Sequence, residues 1–143
     1  MLFFSLKTVI WSLLYLNNCS KLENLNLKTN LTMDLTWTEF EKVEMRAGTV
    51  LEVNDYPEAR KPAYQLTIDF GPTIGIRKTS AQITKRYQKE ALINKQIVAV
   101  VNLPKKQIGK FMSECLVLGS GGDDNDIVLL QPDFVVDNGL RIG

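Results

Sequence analysis

Residues 63–103 read AYQLTIDFGPTIGIRKTSAQITKRYQKEALINKQIVAVVNL, and the reading of this segment decides the fold. Ala63 to Phe70 alternates apolar and polar side chains, the period of a strand with one face buried, and Gly71-Pro72 closes it. A second strand is expected from about Thr73 to Lys78. The alternation then stops at Thr79-Ser80-Ala81-Gln82, and Ile83 to Leu92 has the spacing of a short helix. Gln96 to Leu103 is apolar from Ile97 to Val101 and free of charge, as befits a central strand.

Working outward, Trp37, Phe40 and Val43 share one face of a helix expected over about 36–43, behind a Thr36-x-x-Glu39 capping box. Glu44 to Val53 reads as a long strand in which Gly48 suggests a bulge or bend. Asn54-Asp55-Tyr56-Pro57 is turn chemistry. Downstream, Leu103 to Met112 reads as a basic loop and Glu114 to Leu118 as a strand. Gly119 to Gly122 reads as a turn, Ile127 to Leu130 as a strand, and a last short strand follows Asn138-Gly139. Five or more short strands with one helix between the third and fourth predict an all-β, five-stranded oligonucleotide/oligosaccharide-binding (OB) barrel with an additional N-terminal helix.

Residues 1–32 differ from the rest: an apolar half is followed by one rich in Asn, Leu and Lys. Lys7 interrupts the apolar run, and Asn17-Asn18-Cys19 matches neither a small-residue nor a lipoprotein cleavage site. The preferred expectation is an upstream extension outside the fold, with Met33 opening a domain over 33–143; a membrane-directing leader is the alternative. The run is too short and interrupted for stable membrane insertion.

The 143 residues contain no histidine, which removes Ser-His-Asp and Cys-His catalysis and His-ligated zinc. Two cysteines, Cys19 and Cys115, make neither a thiolate metal cluster nor a disulfide framework, so a reduced, cytoplasmic setting fits. Cys115 alternates as an interior strand residue and is expected to be inert. Gly119-Ser120-Gly121-Gly122 is followed by Asp123, Asp124 and Asp126, which repel anions, so it is read as a turn and not a phosphate loop. No cofactor, metal or catalytic residue is expected.

The formal net charge of +1 conceals a strong segregation. Residues 59–111 carry eleven Lys/Arg against Asp69 and Glu90, a net of +9, between flanks of −5 each over 33–58 and 112–143. Such a block is either a solvated face or the footprint of a polyanion site that includes Lys78, Lys105 and Lys110. Tyr87 and Phe111 lie within it, as core residues or as platforms for stacked bases. Glu114, beside the basic loop, reads as a surface ion pair, an acceptor for base amino groups or an anchor that orients the loop.

The segments EFEKVEMRAGTVLEV, YPEARKPAYQLTIDFG, TSAQITKRY, LINKQIVAVVNLP, SECLVLG and VLLQPD…NG…IG resemble the CsaA family over residues 34–143. Those proteins are small relatives of the tRNA-binding domain found at the C-terminus of many methionyl-tRNA synthetases. The resemblance implies a cytoplasmic, homodimeric OB-fold protein that binds tRNA without catalysis. Its alternative role, which can coexist, is as an export-related chaperone holding unfolded preproteins or peptides in a dimer groove. Carried over by position, the RNA contacts are Ser80, Gln82, Lys85, Arg86, Asn102, Lys106, Ser113 and Glu114. Where relatives carry a proline and two arginines after the Asn-x-Pro, this sequence has Lys105-Lys106-Gln107, so charge survives while the bidentate arginine fork is lost. For the dimer, Trp37, Phe40, Leu130, Pro132 and Phe134 supply more apolar surface than a small barrel needs, to be covered by a second copy or packed over the barrel ends.

Overall fold

The computed structural model describes residues 34–121 and 126–143; Cys19 and Met33 lie outside the described residues. The protein divides into two units, Met1–Trp37 and Thr38–Gly143, and the barrel belongs to the second. The helix α1 (Trp37–Phe40) is shorter than the sequence predicts and buries no side chain. Among the described residues no helix is long and apolar enough to cross a membrane.

A nearly closed antiparallel barrel is laid down in the order β3-β2-β1-β4-β7, with β1 (Met45–Asp55), β2 (Tyr64–Asp69), β3 (Ile76–Ala81), β4 (Gln96–Val100) and β7 (Leu116–Val117). β2 realises the alternation read from its sequence: Tyr64, Leu66 and Ile68 point inward, while Gln65, Thr67 and Asp69 stay half-exposed. β4 is buried at all four positions from Ile97 to Val100, because neighbours cover both its faces. β1 is the spine. Its first half pairs with β4 on one side and with β10 (Arg141–Ile142) on the other, and its second half pairs with β2.

The bulge in β1 lies at Leu51, between Val50 and Glu52, and not at Gly48. One extra residue there lets Val50 and Val53 both face the core despite their odd spacing. Gly48 answers to a different demand. A Cβ at this position would lie 2.6 Å from two ring carbons of Phe70, which is fully buried, so the strand must carry no side chain where Phe70 crosses it.

The third strand runs over Ile76–Ala81 and not over Thr73–Lys78. A helical turn, α2 (Gly71–Ile74), occupies the expected start of that strand. Pro72 suits the first turn of a helix, whose N–H would be unpaired anyway, and Gly71 and Gly75 bracket the turn at φ +76° and +77°. The helix expected over 83–92 divides in two. A turn over 84–86 is closed by Tyr87 N–H donating to the Ile83 carbonyl (3.1 Å), and α3 (Lys89–Leu92) follows extended Gln88. Ile83 and Leu92 both plug the barrel core with Val50, Leu66, Ile68, Phe70 and Ile97.

The expected basic loop is a hairpin, β5 (Lys106–Ile108) with β6 (Phe111–Ser113), turning at Gly109 with φ +57°. Gly119 to Gly121 forms a strand, β8, paired with β9 (Ile127–Leu129), where a free turn is expected; the rest of that turn, residues 122–125, lies outside the described residues.

Candidate nucleic-acid interface

Strand parity sorts the polar stretch that interrupts the alternation. On β3, Thr79 points into the barrel, which leaves Lys78 and Ser80 on the outer face. The β2 register sets Thr67 opposite Lys78 and Gln65 opposite Ser80, so the four form one polar patch. Gln82 and Lys85 follow, both exposed.

The segment after β6 closes onto this strand. Glu114 N–H donates to the Lys78 carbonyl (2.8 Å), and Lys78 N–H donates to the Glu114 carboxylate (3.2 Å). The second carboxylate oxygen accepts from Lys105 Nζ at 2.7 Å. That hydrogen bond leads the effects that hold the Glu114 carboxyl below the usual glutamate range, and partial burial opposes it. Glu114 therefore fastens the hairpin root to the edge of β3, as an orienting anchor. Lys106 stands at the same root, exposed, opposite Ser113.

Beneath this surface, Thr79 Oγ1 donates to the Cys115 carbonyl (2.8 Å) and lies 3.0 Å from Ser113 Oγ. Ser113 is buried, and its hydroxyl also reaches the Cys115 carbonyl at 3.2 Å. The hydroxyl assigned by resemblance to RNA is thus spent inside the fold. Asn102 is likewise engaged: its Oδ1 accepts from Glu44 N–H (3.0 Å) and its Nδ2 donates to the Lys42 carbonyl (2.7 Å), pinning the start of β1 to the end of β4. Burial pushes the Cys115 thiol up to about 12.

The two aromatic candidates pack. Tyr87 accepts from Leu129 N–H at 3.0 Å and lies against the core. Phe111 meets Tyr56 with ring centres 5.8 Å apart and planes tilted by 51°. The Tyr56 hydroxyl donates to the Ile108 carbonyl, so the hairpin tip rests on the β1–β2 connection. Gly109 is required there: a Cβ would lie 2.6 Å from that hydroxyl.

Of the basic block, Arg86, Lys89, Lys105 and Lys110 are paired with Asp126, Asp55, Glu114 and Glu58. Arg86 Nε donates to Asp126 Oδ1 (2.8 Å) and a terminal nitrogen donates to Oδ2, a bidentate contact that holds the aspartate carboxyl down and the guanidinium up. Among the described residues Arg60, Lys61, Arg77, Lys78, Lys85, Lys95 and Lys106 have no ion-pair partner. A shallow cleft of about 330 Å³ brings Arg60 beside Tyr56 and Thr84, next in sequence to Lys85. Another of about 310 Å³ places Gln65 with Lys110 and Phe111. Gln65, Thr67 and Arg60 are absent from the sequence-derived site; the outward parity of β2 is the signal that points to the first two.

The residues expected at a dimer interface divide. Trp37 and Phe134 are 72% and 79% exposed, Leu130 is exposed, and Phe40 and Pro132 are half-buried. Val135, next to Phe134, is 91% exposed.

The family model described as "Putative tRNA binding domain" matches residues 45–141. The crystal structure of the chaperone CsaA from Bacillus anthracis str. Ames is 48% identical with a TM-score of 0.73, over 76% of this chain and 98% of that one. The CsaA chaperone protein from Picrophilus torridus is 50% identical with a TM-score of 0.72, over 76% of this chain and 99% of that one. Methionine–tRNA ligase from Pyrococcus furiosus is 33% identical over 108 residues, 76% of this chain but 14% of the ligase. The sequence thus spans a small fraction of the curated relatives it matches.

Proposed function

The chain belongs to the tRNA-binding domain family and to its CsaA branch, and from that premise we propose that it binds tRNA on the outer face of β2 and β3, without catalysis. The observation that carries this reading is the group of exposed cations, Lys78, Lys85 and Lys106, without ion-pair partners among the described residues and set around Ser80, Gln82, Gln65 and Thr67. Ammonium groups neutralise phosphates and release counterions, while small amides and hydroxyls reach sugar and base edges. Lys105, Lys110 and Arg86 join when phosphate displaces their carboxylates. Glu114, Ser113 and Asn102 act by positioning. A cytoplasmic location agrees with this role.

Filter binding of labelled tRNA across a salt series tests the reading. The charge reversal Lys78→Glu/Lys85→Glu/Lys106→Glu should weaken retention and lower the log–log salt slope by roughly one for each phosphate left without its cation. Unchanged affinity and slope would exclude this face. Asp126→Asn, which frees Arg86, should strengthen binding about two- to fivefold, the scale of an exposed ion pair.

The exposed apolar positions Leu130, Phe134 and Val135 favour a second reading, in which the protein self-associates as a homodimer and holds extended apolar segments of unfolded preproteins. Trp37, Phe40 and Pro132 contribute to self-association. Light scattering of a refolding client and sizing by multi-angle scattering test it. A monomer that leaves client aggregation unchanged at several-fold excess ends this reading.

A further inference from the structure

The sequence contains one Asn-Gly dipeptide, Asn138-Gly139, and the fold uses both residues at a junction it cannot easily build otherwise. The Asn138 carboxamide does two opposite jobs at once. Its Oδ1 accepts from Thr49 Oγ1 at 2.7 Å and from Gln96 Nε2 at 3.3 Å, while its Nδ2 donates to Asp69 Oδ2 at 3.0 Å. An aspartate here could accept but, when ionised, could not donate. Gly139 adopts φ +87°, and a Cβ on it would lie 2.4 Å from the Phe70 carbonyl oxygen, so that position also resists replacement.

The pair fastens residues 136–142 to the barrel. Gly139 N–H donates to the Ala47 carbonyl (2.8 Å), and Ala47 N–H donates to the Leu140 carbonyl (3.0 Å). Gln96 grips Val136 from both sides, donating to its carbonyl (2.7 Å) and accepting from its N–H (3.0 Å), and β10 completes the ladder on β1.

Asn-Gly is also the dipeptide in which the following backbone nitrogen most readily attacks the asparagine carboxamide, because glycine places no side chain in the way. We propose that Asn138 is a deamidation site, shielded in the closed fold and exposed to conversion when residues 136–142 lift away from β1. In the closed state the Gly139 nitrogen is committed to Ala47 and the carboxamide is held by three partners, so neither reacting atom is free to approach the other.

When the segment opens, Gly139 N–H gives its proton to hydroxide. The nitrogen bonds to Asn138 Cγ, the Cγ–Nδ2 bond breaks as water returns a proton to Nδ2 and regenerates the hydroxide, and ammonia leaves with a five-membered succinimide behind. Water then opens either carbonyl of the ring, giving aspartate or isoaspartate. The balance is one water in and one ammonia out, with no redox change. Closure is then impaired in both products. Aspartate sets a second carboxylate against Asp69 where an N–H donated before, and isoaspartate inserts a methylene into the backbone beside the Gly139–Ala47 bond. A transient opening is thereby converted into a permanent one, and the C-terminal segment carries a chemical record of it.

The test is incubation of the intact protein in mildly alkaline buffer, with peptide mapping for the gain of one mass unit at Asn138 and enzymatic methylation to count isoaspartate. Native protein should convert at least about tenfold more slowly than the same protein in urea, the expected mark of a reaction gated by local opening. Equal rates in the two states, or an unfolded protein that keeps Asn138 intact while other asparagines convert, would overturn the proposal. The converted fraction, isolated by ion exchange, should show faster hydrogen exchange at Ala47 and Gly139 than unaged protein. Unchanged protection there would overturn the claim that conversion unlatches the segment, and Asn138→Asp, made directly, should reproduce the loss.

Discussion

Replacing Ser113 by alanine separates the two roles open to that residue, because the structure assigns its hydroxyl to the interior. Ser113 and Thr79 are both buried, 3.0 Å apart, and both reach the Cys115 carbonyl, at 3.2 and 2.8 Å. Two hydroxyls thus serve one carbonyl. In Ser113→Ala, Thr79 still donates to Cys115, so the loss is one hydrogen bond, about 0.5–1.5 kcal/mol. Thr79→Val is nearly isosteric and loses about the same. The double variant strips Cys115 of both hydroxyl donors and adds about 1–3 kcal/mol of desolvation, so the two changes should cost more together than the sum of each alone. Urea unfolding followed by far-UV circular dichroism reads this directly: each single change should move the midpoint by about 0.3–1 M, and the double by clearly more than their sum. Retention of tRNA by folded Ser113→Ala should stay within about twofold of the parent, since the hydroxyl is spent within the fold. A variant of unchanged stability that loses RNA, or strict additivity in the cycle, would refute the argument.

Three further outcomes follow from the same packing. Gly48→Ala drives a methyl to within 2.6 Å of the Phe70 ring and should cost about 1–3 kcal/mol in thermal or urea unfolding; an unchanged midpoint would mean that β1 and Phe70 separate freely. Glu114→Gln removes a carboxyl held below its ordinary value. The stabilisation that carboxyl supplies, at most about 1 kcal/mol, is complete above the unfolded glutamate range near pH 4.3 and is lost as pH falls through the lowered folded value, so the gap between parent and variant should close on acidification; a gap that is constant or widens below that range would be contrary. Cys115, buried and with its thiol pushed up to about 12, should resist alkylation at pH 8 in the folded protein and react promptly in urea, as read by mass.

How much of this fold is legible in the sequence depends on whether a segment's pattern arises within itself. β2 and β4 are readable because alternation and an unbroken apolar run are local consequences of having one or both faces covered. The sequence places β3 three residues too early because Gly71, Pro72 and Gly75 build a helical turn whose glycines take φ +76° and +77°, and glycine and proline announce a break without saying which kind. The β5–β6 hairpin escapes a sequence reading because strands of three residues have almost no pattern, and what steadies this one, the Tyr56 hydroxyl and ring, comes from a distant part of the sequence. The slip at Leu51 leaves no mark at all. Gly48 attracts the inference instead, although its glycine answers to the Phe70 ring.

The candidate site divides along the same line. That residues 59–111 are basic is composition, and the sequence states it outright. Which cations are available is a matter of partners distant in sequence: Arg86 meets Asp126 forty residues on, and Lys89 meets Asp55 thirty-four residues back. Resemblance transfers residue types but not commitments, so it offers Asn102 and Ser113 as RNA contacts while their polar atoms are already taken by Lys42, Glu44, Thr79 and Cys115. Parity resolves part of this. Once Thr79 is known to be inside, Lys78 and Ser80 must be outside, and the pairing with β2 then adds Gln65 and Thr67, which no motif singles out. A site on a barrel surface is therefore fixed less by its own side chains than by the hydroxyl beneath it that sets which way the strand faces.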